Sequence, residues 1–176
     1  MKRNNLYIIA VFALSLPGCS IEKKSVLKIY SYSQQVTPGI IPKITGENNT
    51  VTTLGFKPRI NYFLYAENLK QKTVIISDIW IDSVHYAVQS EKITGTPVEI
   101  ITNDGTGKTQ KKQLVPKTLH DVFRLTPVSV TDQTIIGKKL SVMISSSQLV
   151  AGFIYKGKKY FYQIQKMETL LPAITQ

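Results

Sequence analysis

The chain has 176 residues, of which 22 are Lys or Arg and 11 are Asp or Glu, giving a formal net charge of +11. Hydrophobic residues make up 43% of it, which is too high a fraction for a disordered chain. The single cysteine excludes a disulfide framework within the chain and a zinc module built from several cysteines. The length suits one domain with its own hydrophobic core.

The first residues have the pattern of a secretory signal peptide. Two positive charges, Lys2 and Arg3, precede an almost wholly apolar run over residues 6–16. A basic start, an apolar run of about 7–15 residues and a small residue before the cut are typical of such signals. The run is too short for a membrane-spanning helix, which needs about 20 apolar residues. We therefore expect residues 1–18 to be removed on export.

The only cysteine follows this run directly, in the segment Leu16-Pro17-Gly18-Cys19. This segment resembles the lipobox of bacterial lipoproteins, although Pro17 departs from the usual Ala, Ser, Thr or Val. The resemblance implies that a diacylglycerol is attached to the sulfur of Cys19 and that a peptidase cuts just before it. Two acyl chains suffice for stable anchoring, and residues 19–25 would be the lipidated tether. Two alternatives stay open, an ordinary cleaved signal with an incidental cysteine and an uncleaved anchor.

Removal of the signal also defines the exported domain. Loss of Lys2 and Arg3 lowers the formal charge from +11 to +9. In lipoproteins of Gram-negative bacteria, Asp after the cysteine commonly marks inner-membrane retention, so Ser20 favours the outer membrane. The segment from Ser20 to Ser25 extends at most about 20 Å, which keeps the folded part close to the bilayer.

Short runs rich in β-branched and aromatic residues, separated by turn residues, recur through the rest of the chain and predict β-strands. The predicted strands are Val26–Ser33, Ile60–Ala66, Thr73–Ile81, Val84–Gln89, Pro97–Thr102, Gln110–Val115, Val128–Val130, Lys138–Ser145, Leu149–Tyr155 and Tyr160–Lys166. The last two should form a hairpin, and residues 36–58 a long loop. Leu119, Val122 and Phe123 have helical spacing, which predicts one short helix over Thr118–Leu125.

This pattern predicts an all-β fold, a single antiparallel β-sandwich over residues 26–168, followed by a C-terminal tail at 169–176. The Cys…Trp…Cys pattern of true immunoglobulin domains is absent, so the likeness to that fold would be one of shape alone. No long amphipathic helix alternates with the strands, which argues against a parallel α/β sheet.

The third predicted strand carries the first candidate site. Alternation places Asp78, Trp80 and Asp82 on one face and the core residues Ile75, Ile79 and Ile81 on the other. Four residues along a strand span about 13 Å, which is too wide for a glycosidase carboxylate pair. The face is therefore either a recognition patch, with Trp80 stacking on a sugar or a partner, or an ordinary packing surface, since tryptophan is usually well buried.

Basic residues cluster in the predicted turns. They are Lys108, Lys111 and Lys112, Lys138 and Lys139, and Lys156, Lys158 and Lys159. The segment Gly105-Thr106-Gly107-Lys108-Thr109 ends like a phosphate-binding loop, but it lacks the earlier glycine and the following helix, so a hairpin turn is expected. The candidate anion contacts are Lys108, Lys111, Lys112, Lys156, Lys158 and Lys159, with solvated turns as the alternative.

The two histidines, His85 and His120, are far apart in the sequence and predict no metal site. No nucleophile elbow accompanies them, so no catalytic residue is predicted, and both are interpreted as structural. Apart from the lipid on Cys19, no cofactor is expected.

The expected function is that of a non-enzymatic envelope lipoprotein, anchored in the membrane and contacting another envelope protein, as an accessory part of an envelope assembly. The alternative is a module that binds a glycan, a lipid or an anionic envelope polymer through the Trp80 face or the basic turns. A hydrolytic enzyme is a third class, which a pocket with convergent acids or histidines would favour. Export argues against a nucleic-acid partner despite the positive charge.

Overall fold

The computed structural model describes residues 26–38, 43–45, 51–53, 58–70, 72–103, 109–131 and 137–175, which form thirteen strands and one helix. The strands are β1 (Leu27–Pro38), β2 (Lys43–Thr45), β3 (Val51–Thr53), β4 (Arg59–Asn68), β5 (Val74–Ile81), β6 (Val84–Lys92), β7 (Val98–Asn103), β8 (Thr109–Val115), β9 (Asp121–Val130), β10 (Leu149–Tyr155), β11 (Lys158–Ile164), β12 (Glu168–Thr169) and β13 (Ala173–Thr175). The helix is α1 (Lys138–Ser145). The signal segment and Cys19 lie outside the described residues.

Nine of the strands form one large curled sheet in the order β11-β10-β5-β6-β9-β4-β1-β12, with β13 also paired to β1. Most neighbours are antiparallel, but β12 and β13 run parallel to β1. The pairs β2–β3 and β7–β8 form two small hairpin sheets. The predicted all-β, sandwich-like class is confirmed, with the parallel pairing on β1 as an addition.

One face of the large sheet, here called the first face, carries the main hydrophobic core. Side chains of a strand alternate between the two faces, so every second residue of the long strands enters this core. Its buried members include Leu27, Leu64, Ile79, Leu149 and Phe153. Tyrosines of β11 and Phe123 of β9 pack against its margin.

A β-bulge in β5 changes which isoleucines enter the core. Gly152 of β10 pairs with Asp78, whereas the next residue, Phe153, pairs with Ile76, so Ser77 is an extra residue in β5. As a result Ile76 is buried and Ile75 is 56% exposed. The predicted core positions Ile79 and Ile81 are confirmed, whereas the prediction for Ile75 is wrong because the bulge reverses the alternation.

The second face of the sheet is covered by two different elements. The β7–β8 hairpin brings Leu114 and Val115 against Tyr32, Tyr65 and Val122. Helix α1 lies over the β5–β10 part, where its Ile144 packs with Trp80 and Val150. The hairpin and the helix thus form the other layer of the sandwich-like fold.

The predicted helix at Thr118–Leu125 is wrong, because β9 begins at Asp121. β9 pairs on one side with β4 and on the other with β6, and both neighbours satisfy its backbone. Val122 and Phe123 then point to opposite faces of the sheet. Leu119 precedes the strand and is fully exposed.

The predicted strand at Lys138–Ser145 is also wrong, because these residues form α1. Leu140, Met143 and Ile144 stand at helical spacing and contact the Trp80 cluster, whereas Val142 is 60% exposed. Residues 140 and 144 fit both the strand period of two and the helix period of 3.6. The helix is favoured because it covers the face of the sheet that carries Trp80.

Two further differences concern β1 and the chain end. β1 continues to Pro38, and β2 and β3 lie within the stretch predicted as a loop. The predicted C-terminal tail is wrong up to Thr175, because β12 and β13 pair with β1 and Leu170 is buried between them. The predicted strand Val128–Val130 is the end of the ten-residue β9, and the other predicted strands are confirmed with small shifts at their ends.

Candidate functional site

Asp78 lies beside the bulge of β5, and its carboxylate has three side-chain partners. Oδ2 accepts hydrogen bonds from Ser77 Oγ at 2.7 Å and from Lys159 Nζ at 2.6 Å, and Oδ1 lies 3.2 Å from His85 Nε2. Burial raises the pKa of Asp78, but the bonds from Lys159, Ser77 and His85 together hold it below its ordinary value. The ionised carboxylate therefore links β5, β6 and β11.

His85 is the next member of this cluster and is itself buried. Its ring stacks on Trp80 with centroids 4.6 Å apart and planes 11° from parallel, and Nδ1 lies 2.7 Å from Thr131 Oγ1. Carboxylate, imidazole and hydroxyl follow the order of a hydrolytic triad, which also needs oxyanion donors and room for a substrate. Here the indole of Trp80 covers one face of the His85 ring. The contacts of His85 with Asp78 and Thr131 join the ends of β5, β6 and β9, which is a structural role.

Trp80 lies beneath α1 and is only 4% exposed. Phe161 packs against it from β11, at 6.1 Å between ring centroids. Stacking on a sugar requires an exposed ring, so the interpretation of Trp80 as a recognition surface is wrong. The packing interpretation agrees with its position, although its Nε1 has no hydrogen-bond partner among the described residues.

Asp82 does not share the face of Asp78 and Trp80. Asp82 and Ser83 form the turn between β5 and β6 with positive φ angles of 47° and 69°. Oδ2 of the exposed Asp82 accepts a 3.4 Å hydrogen bond from the hydroxyl of Tyr62, which packs on the first face. The predicted three-residue face is therefore wrong, because the turn carries Asp82 away from it.

A second cluster surrounds Glu67, near the end of β4. The hydroxyls of Tyr30 and Thr118 donate to its carboxylate at 2.7 and 2.6 Å, and His120 Nδ1 lies 2.8 Å from Oε1. Burial raises the pKa of Glu67, but these hydrogen bonds and the charge of His120 outweigh it, so the pKa is lowered. Burial and the bond to Glu67 raise the pKa of the Tyr30 hydroxyl.

Two clefts open beside His120, whose side chain is 48% exposed. The smaller has a volume of about 160 Å³ and lies between the end of β6 and the start of β9. The larger, about 620 Å³, is lined by Asn68, Lys70, Lys72, Thr73, Val74, Leu119, His120, Asp121 and Phe123. Its lining combines basic, hydroxyl and apolar side chains, which suits a ligand with an anionic and an apolar part.

Three of the six lysines predicted as anion contacts are paired with carboxylates. Lys111 pairs with Glu99 at 2.8 Å and Lys112 with Glu168 at 2.5 Å, which raises the pKa of Lys112. Lys159 pairs with Asp78, as described above. The remaining lysines are Lys156 and Lys158, both exposed at the β10–β11 turn, and Lys108, which lies outside the described residues.

Sequence reasoning missed the Glu67–His120 pair because its members are 53 residues apart and only the β4–β9 pairing brings them together. No local signal marked Glu67, because it follows the predicted strand Ile60–Ala66 directly, where a charge is ordinarily solvated. Only the extension of β4 to Asn68 brings it into the sheet.

Within the described residues, no group of three or more His, Cys, Asp or Glu side chains could hold a metal ion. No helix in this part of the chain is long and apolar enough to cross a bilayer. Comparison of the chain with known protein families, characterised proteins and solved structures finds no match.

Proposed function

We propose that this chain is a bacterial envelope lipoprotein whose all-β domain acts as a non-enzymatic interaction module. A diacylglycerol on Cys19 anchors the domain, with the outer membrane favoured over the inner. Its partner would be another envelope component, either a protein or an anionic polymer, and no cofactor besides the lipid is invoked.

The observation that carries the proposal is the place of the sole cysteine. A basic start, an apolar run over residues 6–16 and the small residue Gly18 all precede Cys19, which is the position that lipidation requires. The described fold begins at Val26, seven residues later, so a short tether separates the lipid from β1.

The environment of the Asp78 cluster supports the non-enzymatic part of the proposal. Asp78, His85 and Trp80 bind and cover one another, which is what a packing network does. Glycan binding through the Trp80 face has no support, because Trp80 is only 4% exposed, which leaves the basic turns as the route for that alternative. The lipid alternative has the cleft beside His120 in its favour.

Metabolic labelling with palmitate, followed by membrane fractionation, tests the anchor. We expect the wild-type chain to incorporate label and to sediment with outer-membrane vesicles. Cys19→Ala should incorporate no label and should keep its signal segment, because the attachment atom is gone. The matched control is Pro17→Ala, which keeps the cysteine and replaces the residue that departs from the usual pattern, and it should be labelled at least as well as wild type.

Label on Cys19→Ala, or an unlabelled wild-type chain, would contradict the proposal. For the interaction role, chemical crosslinking in intact envelopes should join the wild-type domain to a defined envelope component. A purified wild-type protein that turned over a hydrolytic substrate, with loss of turnover in His120→Gln, would overturn the non-enzymatic assignment.

A further inference from the structure

The end of the large sheet at which β1 begins, here called the entry end, gathers several elements. Antiparallel pairing of Leu27 with Asn68 and of Asn68 with Asp121 puts the start of β1, the end of β4 and the start of β9 there. Pairing of Val74 with Tyr155 adds the start of β5 and the β10–β11 turn. The tether that follows Cys19 therefore enters the fold among these loops.

The loop between β4 and β5 presents two lysines at the entry end. The side chain of Asn68 fixes this loop, since Oδ1 accepts a hydrogen bond from the backbone N–H of Lys70 and Nδ2 donates to the carbonyl of Lys72. Asn68 is itself buried, whereas both lysines are exposed. These bonds hold the backbone at Lys70 and at Lys72, and both lysines line the larger cleft.

Further cations share this end. Lys28 is the second residue of β1, and the β10–β11 turn contributes Lys156 and Lys158. Among the described residues, neither these three nor Lys70 and Lys72 pair with a carboxylate. Two carboxylates at this end are engaged, Asp121 by Lys92 at 2.7 Å and Glu67 by the contacts described above, whereas Glu91 near the end of β6 is exposed.

An exposed leucine stands beside these cations. Leu119 lies in the loop before β9 and is fully exposed, although it also lines the larger cleft. Its neighbour His120 contacts the buried carboxylate of Glu67, and this contact attaches the loop before β9 to β4. An exposed apolar side chain beside Lys70 and Lys72, which have no carboxylate partner among the described residues, has the character of an interfacial anchor, because the leucine can enter the acyl boundary while the ammonium groups meet phosphates.

We propose that the entry end docks on the anionic lipid headgroups of the membrane that holds Cys19, with Lys70 and Lys72 binding headgroup phosphates and Leu119 entering the interface. This inference rests on the proposed lipid anchor. The tether argues for this occupant, because Ser20 to Ser25 extends at most about 20 Å and delivers this end of the domain to the bilayer first. The positive charge of the surface matches the negative potential of anionic headgroups.

The lipidated protein itself gives the test. Once the sulfur of Cys19 carries lipid, an introduced cysteine is the only free thiol in the chain. Thr73→Cys places a fluorophore at the larger cleft, and Ser141→Cys places the same fluorophore on the exposed side of α1, away from the entry end. Each labelled protein is reconstituted in phosphatidylcholine vesicles with or without about one third phosphatidylglycerol, and quenching by a headgroup-linked nitroxide is measured.

We expect strong quenching at residue 73 and little at residue 141 in the anionic vesicles. The difference in quenching between the two positions should disappear at high salt. Replacing both lysines, Lys70→Gln with Lys72→Gln, should lower the ratio of docked to undocked protein about thirtyfold. Leu119→Ser should lower it about tenfold. The matched control is Lys138→Gln with Lys139→Gln, which removes two exposed lysines from α1 and should leave the ratio unchanged.

Equal quenching at residues 73 and 141, or docking that survives the loss of Lys70 and Lys72, would overturn the inference. So would a response of the residue-73 fluorophore to inorganic phosphate in neutral vesicles equal to its response to phosphatidylglycerol, since the cleft would then be a site for free phosphate. A lipidated protein that fails to dock rejects this inference alone. A chain that carries no lipid in palmitate labelling rejects the anchor and the docking together.

Discussion

Glu67 is a buried carboxylate that depends on three donors from distant parts of the chain. Tyr30 reaches it from β1, and Thr118 and His120 reach it from the loop before β9. Thr118 is in turn held by Thr96, whose hydroxyl accepts from the backbone N–H of Thr118 at 3.0 Å. One side chain therefore couples the first strand to the loop that carries Leu119.

The pKa of Glu67 makes this coupling dependent on pH. Its pKa is lowered from the ordinary value of 4.5 in the folded state. The stabilisation is therefore complete above about pH 4.5, where the unfolded carboxyl is also ionised, and is lost as the pH falls through the folded pKa. Glu67→Gln should lower the free energy of unfolding at neutral pH by about 1–3 kcal/mol and flatten the decline of that free energy as the pH falls below the ordinary carboxyl range. Urea unfolding at a series of pH values measures both effects.

The matched control is Glu91→Gln, which removes an exposed carboxylate from β6. We expect it to change the free energy of unfolding by less than about 0.5 kcal/mol and to keep the wild-type slope. Some slope should remain in Glu67→Gln, because the pKa of Asp78 is lowered as well. Parallel pH profiles for wild type and Glu67→Gln would show that the Glu67 contacts do not distinguish its two protonation states.

At the level of elements, α1 is the piece that completes the second face. It has no acidic residue in its first turn, no basic residue in its last and no side-chain N-cap, so its stability depends on packing. Ile144 supplies that packing against Trp80 and Val150. The helix thus covers the only tryptophan of the chain, whose fluorescence reports on the contact.

Ile144→Asp should detach α1 from the sheet, because it would bury an unpaired carboxylate against the indole. We expect a red shift of tryptophan emission, easier quenching by acrylamide and a loss of about 2–4 kcal/mol in the free energy of unfolding. Val142→Asp places the same charge on the exposed side of the same helix and should leave emission and stability close to wild type. Equal effects of the two substitutions would mean that α1 does not rest on Trp80.

The contrast between α1 and β9 shows what local patterns can and cannot predict. Leu140 and Ile144 satisfy a period of two and a period near 3.6. Leu119, Val122 and Phe123 have helical spacing, yet Leu119 precedes β9 and the other two lie in this strand, which is paired on both sides. In both segments the neighbouring elements decide the outcome. The strands with clean alternation or continuous apolar runs, such as β4 and β10, needed no such information and are confirmed.

The candidate sites were harder to predict for the same reason. Asp78 was singled out from its strand position, but two of its three partners come from β6 and β11, which only the strand order of the sheet brings near it. The Glu67–His120 contact depends on the pairing of β4 with β9. The pairing of lysines with carboxylates likewise becomes visible only when the strands are placed.

On the scale of the whole molecule, the two ends of the described chain meet at β1. β1 is the first strand of the described fold and pairs with β4 along one edge, and β12 and β13 close its other edge in parallel pairing. Gln34 Nε2 donates to the carbonyl of Leu171 at 2.9 Å, and the backbone N–H of Leu170 donates to the carbonyl of Ser33 at 2.8 Å. The last residues therefore protect a strand edge that would otherwise be open to pairing with another chain.

Leu170→Ala should weaken this closure. Leu170 is 5% exposed and packs in the cluster under the β7–β8 hairpin, so its truncation should cost about 2–4 kcal/mol in the free energy of unfolding. Leu119→Ala removes the same atoms from a fully exposed leucine and should cost less than about 0.5 kcal/mol, whatever it does to membrane docking.

Deletion of residues 170–176 should lower the free energy of unfolding more than Leu170→Ala does, and should add concentration-dependent association through the open edge of β1. Urea unfolding and sedimentation velocity measure the two effects, and a deletion variant as stable and monomeric as wild type would mean that β1 does not need β13, since β12 is kept in this variant.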